Sequence, residues 1–444
     1  MTTKILDFRA GCVSFYGRMY VSLERGSVNI HGYHIKRGPT LEVYAPSHSL
    51  PIQFTSRYDF TLILTTIPIE KLSPLERKYY SIDRPDFFEI CDGIYYSQTF
   101  PELQYDPEKI KEIDSRVKAT SRMMIIGDND TGKSTFSRFY TNHLLNKYPE
   151  VAYLDIDPGQ SENSLPRTLS LTIVKSPLFG PPEMNDRNEK TIIDYGYNQA
   201  VDKQFYYECI TKLLALVPQG VPLVVNSLGF IFKSGVVVHS TLFKIIRPHL
   251  RVLLRKPDPI EFPQIYANSI ELPMKRIENI GLIKKVFKRE LRFSTYLTRM
   301  VGPTSLQKPK VLKMKKTYFY FNEPIILTEV LNYAIGSIAF LLKSTDSVEK
   351  IVKKPEDKKK LVKVLRNFRP STYHGAALIR AFDIEAGLIY LNTPDSVDEI
   401  DVLHVFPDEL LATIVHDHPT QLTFSDALII KKPIFVNDGQ KPQN

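Results

Sequence analysis

The sequence contains no tryptophan and only three cysteines among its 444 residues. Cys12, Cys91 and Cys209 lie far apart and form no CxxC pair, which argues against a structural zinc site or a disulfide framework and is typical of a reducing compartment. No stretch reaches the roughly 18 uninterrupted apolar residues that a membrane helix needs, and the opening MTTKILDFRAGC lacks the apolar run of a signal peptide. These absences predict a soluble intracellular protein.

The charge balance is mildly positive. The 58 Lys and Arg residues outnumber the 49 Asp and Glu residues, for a formal net charge of +9. Such an excess favours polyanionic partners, because Lys and Arg can replace the counterions condensed around phosphates. The length allows about three domains at roughly 150 residues per domain.

Short alternating segments fill the first hundred or so residues. CVSFYG, GSVNIHGY and LEVYAP are separated by Gly, Pro and Ser turn signals, which predicts a small antiparallel β-sandwich. The polar segment from about Pro101 to Arg122 is predicted to be a linker that contains a helix. We therefore expect an N-terminal β domain over residues 1–118.

From Met123 onward, strands and helices are predicted to alternate. MMIIG is a continuous apolar run, as expected of a strand buried on both faces of a parallel sheet, and VAYLDID, PLVVNS and LRVLLR are predicted as further strands. Helical spacing is shown by Phe136, Phe139, Tyr140 and Leu144, then by Phe205, Cys209, Leu213 and Leu216, and a third helix is predicted over VVVHSTLFKIIRP. This alternation predicts an α/β domain with a parallel sheet over residues 119–301.

The C-terminal part, residues 302–444, is predicted to be β-rich, with strands at KTYFYF, IGSIAFLL and GLIYL. A charged stretch, KKPEDKKKLVKVLRNFR, interrupts it at residues 353–369. Such a stretch is either a solvated surface helix or loop, or a patch that faces RNA or a protein partner.

The motif GDNDTGKS matches the P-loop pattern GxxxxGK[ST] and stands between a predicted buried strand and a predicted helix. Backbone N–H groups of such a loop bind phosphate oxygens, assisted by the helix N-terminus. Lys133 is expected to reach the β- and γ-phosphates, Ser134 to bind Mg²⁺, and Thr135 to donate to the α-phosphate. The predicted ATP-binding residues are Gly127, Asp128, Asn129, Asp130, Thr131, Gly132, Lys133, Ser134 and Thr135.

Two aspartates, Asp155 and Asp157, end the next predicted strand. Residues two apart on a strand point to the same face, so we expect both carboxylates beside the P-loop. One could hold the metal and the other could accept a proton from an incoming hydroxyl, although either alone could instead cap a helix. The guanine-reading NKxD signature is absent, which argues against a GTPase.

At this point the sequence resembles the polynucleotide 5′-hydroxyl kinases. The segment GDNDTGKST, followed by YLDIDPGQSE, is similar to that family, and more specifically to its nucleolar branch in ribosomal RNA processing. VYAPSHSLP, SPLFGPPE and ALIRAFDIEAGLIYLNTP resemble segments of the same branch. The sister branch acts in tRNA splicing and pre-mRNA 3′-end cleavage.

The resemblance implies two further elements around the site. A substrate "clasp", usually Thr–x–Gly–Trp, would here lie in VVNSLGFIFKSG and be formed by Asn226, Ser227, Gly229 and Phe230. Phe230 replaces the usual tryptophan and could stack on a base or be an ordinary core side chain. An arginine-bearing "lid" would lie in KKVFKRELRFSTYL, where Lys288, Arg289 and Arg292 are the residues expected to close over the γ-phosphate.

The implied activity is transfer of the γ-phosphate of ATP·Mg²⁺ to the 5′-hydroxyl of RNA. Asp157 would take the proton, Gln160 would position substrate or metal-bound water, and Asp155 and Asp157 with Ser134 would hold the metal. The resemblance also implies a pre-ribosomal endonuclease as partner and a nuclear, nucleolar location. Two alternatives stay open: the tRNA-splicing and cleavage-factor branch, and an ATP-binding scaffold without kinase activity.

Overall fold

The computed structural model describes residues 1–47, 49–67, 84–181, 188–257, 261–274, 288–289, 292–293, 296–297, 309–326, 329–344, 362–365 and 372–407. Three sheets follow one another along the chain. None of the helices within these ranges is long and apolar enough to cross a membrane.

The N-terminal sheet has nine strands, and all of its pairings are antiparallel. Its centre is β2 (Gly11–Arg25), whose first part pairs with β6 and β9 and whose second part pairs with β5 and β7. This confirms the strands expected in the first hundred residues. The others are β1 (Thr3–Phe8), β3 (Val28–Ile30), β4 (Tyr33–Ile35), β5 (Leu41–Ala45), β6 (Ile52–Ser56), β7 (Phe60–Thr66), β8 (Phe88–Cys91) and β9 (Ile94–Ser97).

A helix links this sheet to the central one, as expected. α1 (Pro107–Arg116) begins after Asp106, whose carboxylate accepts from the backbone N–H of Glu108 and so caps the helix. The later helices are α2 (Lys133–Leu144), α3 (Lys203–Ala215), α4 (Ser234–Ile246) and the short α5 (Val330–Ala334). Two 3₁₀ turns occupy Gln264–Tyr266 and Met314–Lys316.

The central sheet has seven strands in the order β13-β12-β11-β14-β10-β15-β16. Strands β11, β14, β10, β15 and β16 are parallel, but β12 and β13 pair antiparallel at one edge, so the sheet is mixed rather than wholly parallel. The strands are β10 (Arg122–Gly127), β11 (Val151–Asp155), β12 (Thr168–Val174), β13 (Glu189–Asp194), β14 (Leu223–Asn226), β15 (Leu250–Arg255) and β16 (Ile270–Pro273).

Helices cover both faces of this sheet, which explains why its strands are continuous apolar runs. Phe136 and Tyr140 of α2 pack on one face with Ile125. On the other face, α3 and α4 pack against Leu154 and its neighbours. The predicted buried side of α3 extends one residue too far, because Leu216 lies at the helix C-cap and is exposed.

The C-terminal sheet has seven strands in the order β17-β22-β21-β19-β23-β18-β20. The strands predicted at KTYFYF, IGSIAFLL and GLIYL are present. Most of the charged stretch 353–369 lies outside the described residues, but Lys363–Val364 form a short strand there. The strands are β17 (Lys310–Lys313), β18 (Tyr318–Tyr320), β19 (Ile338–Lys343), β20 (Lys363–Val364), β21 (Thr372–Asp383), β22 (Leu388–Asn392) and β23 (Val402–Phe406). The domain limits 1–118, 119–301 and 302–444 stay predictions.

Candidate functional site

The P-loop stands between β10 and α2, at the carboxyl end of the central sheet. Gly132 has φ 86, a left-handed conformation that favours glycine, and the helix begins at the next residue. The carbonyl of Asp128 accepts from Lys133 Nζ at 2.8 Å and from Thr131 Oγ1 at 2.9 Å. These hydrogen bonds join the two ends of the P-loop and fix the position of the Lys133 ammonium group beside Asp128.

A buried polar link joins the P-loop to the next strands. Asp155 and Asn226 are register partners on the parallel strands β11 and β14. Asn226 Nδ2 lies 3.1 Å from Asp155 Oδ1 and 3.4 Å from Ser134 Oγ. The predicted metal-binding Ser134 and Asp155 are therefore brought to one point, and Asn226 bridges them.

Asp155 is an unusual carboxyl group. Burial raises its pKa to about 7, and the nearby charges of Asp157 and Glu162 add to this effect. Hydrogen bonds from the Glu162 backbone N–H, at 2.5 Å, and from Asn226 oppose it. Burial thus opposes ionisation of Asp155, and a cation bound beside it would favour the ionised form.

Asp157 is not on the strand, contrary to the premise that placed both aspartates on one strand face. β11 ends at Asp155, and Asp157 opens a turn, Asp157–Gln160, called here the aspartate turn, in which its Oδ1 accepts from the Gly159 backbone N–H at 3.1 Å. Its side chain is partly exposed, whereas that of Asp155 is buried. The two carboxyl groups thus stand in different environments, which suits two different roles.

The clasp residues divide into two groups. Ser227 is buried, and its hydroxyl donates to the Ile125 carbonyl at 2.7 Å. Gly229 lies against the P-loop: a Cβ there would be 2.3 Å from Asn129 Oδ1 and 3.1 Å from Lys133 Nζ. Phe230 is 48% exposed. The alternative that Phe230 is a core side chain is therefore wrong.

The described part of the lid segment (residues 288–289, 292–293 and 296–297) is helical. Arg292 Nη2 lies 3.8 Å from Glu162 Oε1, and Arg138 of α2 pairs with the other carboxylate oxygen at 2.8 Å. Burial alone would raise the pKa of Glu162, but the charges of Arg138, Arg292 and Lys288 outweigh it and hold the pKa below its ordinary value. Arg292 thereby joins the lid segment to Glu162, which lies two residues after the aspartate turn.

A cavity of about 300 Å³ opens between the N-terminal sheet, the P-loop helix and the lid. The segments VYAPSHSLP and SPLFGPPE, singled out from the sequence, both contribute to its wall. Thr135, Gln160, Lys288, Arg289 and Arg292 line it as well.

Sequence reasoning missed Arg138 and Glu162, which tie α2 and the lid together at this cavity. A signal for Arg138 was its position four residues after Ser134, which places both on one side of the helix. Nothing in the sequence pairs Glu162 with an arginine 130 residues away.

The fold and this arrangement define a P-loop nucleotide-binding protein. A parallel-stranded core presents the loop, and Asn226 of the adjacent strand β14 links a buried carboxyl group on β11 to the residue that follows the P-loop lysine.

Comparison with known proteins shows which proteins this chain is similar to. Residues 127–298 match the family model described as mRNA cleavage and polyadenylation factor CLP1 P-loop. The human polynucleotide 5′-hydroxyl-kinase NOL9 is 30% identical over 150 residues, which are 34% of this chain and 21% of the relative. The polynucleotide 5′-hydroxyl-kinase GRC3 of Gibberella zeae is 30% identical over 293 residues, covering 55% of this chain and 40% of that protein.

The solved structure of the wild-type Clp1p–Pcf11p complex has the same fold, with a TM-score of 0.59 and 14% identity over 91% of this chain and 97% of that one. The P-loop region of this chain is thus similar to the polynucleotide 5′-hydroxyl kinases NOL9 and GRC3, which supports the resemblance noted from the sequence. The chain spans less than half the length of these two relatives in the matched regions.

Proposed function

We propose that this protein transfers the γ-phosphate of ATP to the 5′-hydroxyl end of RNA during pre-ribosomal RNA processing. The observation that carries the proposal is the Ser134–Asn226–Asp155 link beside Lys133. It assembles the phosphate loop and a carboxyl group at one sheet edge, as phosphoryl transfer requires. The names of the relatives supply the acceptor class.

ATP binding is assigned to the P-loop residues 127–135. Backbone N–H groups at the start of α2 bind phosphate oxygens, and Lys133 exchanges its bond to the Asp128 carbonyl for one to the phosphates. Thr135 lies at the end of the loop and on the cavity wall, so the nucleoside extends into the cavity.

The donor set near Ser134 fits Mg²⁺. Hydroxyl and carboxyl oxygens are the ligands this cation prefers, and Asn226 Oδ1 is a buried oxygen without a hydrogen-bond partner among the described residues. Ser134 and Asp155 would hold the cation, and Asp157 would do so through water. When bound, Mg²⁺ neutralises charge on the phosphates.

The acceptor end of the RNA is assigned to the side of Asp157 and Phe230. Asp157, the more exposed carboxylate, orients the 5′-hydroxyl and takes its proton, while Gln160 positions the attacking group. Phe230 stacks on a base, which contributes about 1–3 kcal/mol. Arg289 and Arg292 stabilise the charge that develops on the transferring group.

The biological setting follows from the branch. The proposed kinase needs an RNA with a 5′-hydroxyl end, which is the end that some endonucleases leave, and it converts that end to a 5′-phosphate. We therefore assign a pre-ribosomal endonuclease as partner and the nucleolus as location. The match to Clp1p in a complex with Pcf11p shows that another protein of this fold assembles with a protein partner.

The test is a transfer assay with purified protein, γ-labelled ATP, Mg²⁺ and a short RNA bearing a 5′-hydroxyl. We expect label on the RNA with the unchanged protein, none with Lys133→Ala, and normal transfer with Lys212→Ala, an exposed lysine of α3. Absence of transfer while ATP still binds, both alone and in the complex purified from cells, would favour the scaffold alternative.

A further inference from the structure

A buried histidine joins the C-terminal sheet to the central sheet. His404 lies in β23, between Val402 and Phe406 on the same face of an otherwise apolar strand. Its ring Nδ1 is 2.5 Å from Asp194 Oδ2 at the end of β13, and its Nε2 is 2.9 Å from Asn322 Oδ1. His404 and Asp194 are each 1% exposed. The His404–Asp194 hydrogen bond is therefore shielded from solvent.

Both ring nitrogens of His404 have hydrogen-bond partners. Asn322 Nδ2 donates to the Gly196 carbonyl at 2.6 Å, so its Oδ1 faces the ring Nε2. The Asp194 carboxyl group bonds to the ring Nδ1. Removing the ring would leave these buried polar groups without their partner, which is destabilising.

Arg167 extends the connection to the aspartate turn. Its carbonyl accepts from the backbone N–H groups of Tyr195 and Gly196, and its guanidinium donates to the Gly196 carbonyl at 3.1 Å. That guanidinium also lies 4.7 Å from the ring centre of Phe406, two residues after His404. At the other end, the Arg167 backbone N–H donates to the Pro158 carbonyl at 2.7 Å. Pro158 directly follows Asp157.

The conformation of Arg167 shows that the connection is held by its surroundings. Its φ is 72, in the left-handed region that non-glycine residues seldom adopt. Such a conformation persists only where neighbouring contacts over-determine it. Arg167 is held in this conformation by its contact with Pro158 on one side and with Gly196 and Phe406 on the other.

We propose that His404 is a positioning residue of the kinase site: through Asp194, Asn322 and Arg167 it holds the Asp157–Gln160 turn in place from the C-terminal sheet. The inference rests on the proposed function for its catalytic consequence. His404 touches neither ATP nor RNA in this assignment. The C-terminal sheet thereby becomes part of the catalytic unit rather than an appended domain.

The test compares His404→Gln with His374→Gln, an exposed histidine on β21 of the same sheet. Two readouts are used: kcat and KM for ATP and RNA, and amide hydrogen exchange over residues 156–168. For His404→Gln we expect kcat to fall by about tenfold to hundredfold, as misplacement of a reacting group does, with KM for ATP within about twofold. We also expect faster exchange in the aspartate turn, and no change with His374→Gln.

A second variant covers the case in which His404→Gln does not fold. Asn322→Ala leaves the His404–Asp194 pair intact and removes the bond to Gly196, and we expect a smaller change in the same direction. Unchanged kcat and unchanged exchange in a folded variant would overturn the proposal. An increase in exchange across the whole central sheet, with equal losses in kcat and ATP affinity, would also overturn it, because it would indicate a general structural role. If the unchanged protein transfers no phosphate, the proposed function fails, and the exchange data alone decide whether His404 holds the turn.

Discussion

Asn226 and Asp155 are directly paired across two parallel strands, and the Asn226 amide donates to the Asp155 carboxyl group at 3.1 Å. The same amide lies 3.4 Å from Ser134 Oγ, so it links an acid at the end of β11 to a hydroxyl in the first turn of α2.

We expect Asn226→Ala to lower kcat by about tenfold to hundredfold, because a hydrogen bond to a charged group contributes about 1.5–3 kcal/mol. Steady-state kinetics on a 5′-hydroxyl RNA measure the effect, with thermal unfolding as a check that the variant is folded. A kcat equal to that of the unchanged protein would show that the bridge has no part in catalysis.

The raised pKa of Asp155 predicts that its ionised form, which the proposed activity needs, lowers the stability of the folded protein. Its pKa in the folded protein is about 7, above the ordinary value of 3.8. Between about pH 4 and pH 7 the folded state therefore keeps a proton that the unfolded state has released, so stability falls as pH rises through this window. The cost is about 1.4 kcal/mol per pKa unit.

We expect Asp155→Asn to remove this pH dependence, to raise the free energy of unfolding at pH 8 by a few kcal/mol, and to abolish phosphate transfer. Urea unfolding at pH 5 and pH 8, without nucleotide or Mg²⁺, measures it. A variant that is less stable than the unchanged protein at pH 8 would contradict the assignment.

Gly229 leaves no room for a side chain beside the P-loop. A Cβ would stand 2.3 Å from Asn129 Oδ1, closer than van der Waals contact permits, and 3.1 Å from Lys133 Nζ. We expect Gly229→Ala to displace the ends of the Asn129 and Lys133 side chains and, because Lys133 is assigned to the phosphates, to weaken ATP binding by about tenfold, the effect of roughly 1.4 kcal/mol. Titration with a fluorescent ATP analogue reads this out, and an unchanged Kd would show that the clasp can move away without loss.

Phe230 offers an exposed ring in the clasp, directly after Gly229, which lies against the P-loop. If a base stacks on it, Phe230→Ala should raise KM for RNA by about tenfold, within the 1–3 kcal/mol of such contacts, and leave KM for ATP unchanged. Phe230→Trp should lower KM for RNA, because the larger ring stacks over more of the base. Phe88→Ala is a matched control, since Phe88 is 63% exposed on the N-terminal sheet. Equal effects of the two alanine variants would dismiss a specific stacking role.

Local patterns predicted most of the fold. Continuous apolar runs marked β10, β11, β14 and β15, because both faces of those strands are covered by helices. Strand β12 was missed, since Ser170 and Thr172 interrupt its apolar run, and its antiparallel pairing depends on a partner rather than on its own composition. The helix end at Leu216 was misjudged because spacing alone does not show where the core stops.

The chemistry of the nucleotide loop follows from local sequence. Gly127 to Thr135 are contiguous, and their conformation and phosphate-binding groups are set by the loop and the helix that follows. The residues that surround the loop, in contrast, are brought there by the packing of distant segments. The pairing of Asp155 with Asn226, the contact of Arg292 with Glu162 and the bond of His404 to Asp194 join residues 71, 130 and 210 positions apart. Such contacts depend on strand order and sheet packing, which no local pattern encodes, and the exposure of Phe230 depends on them in the same way.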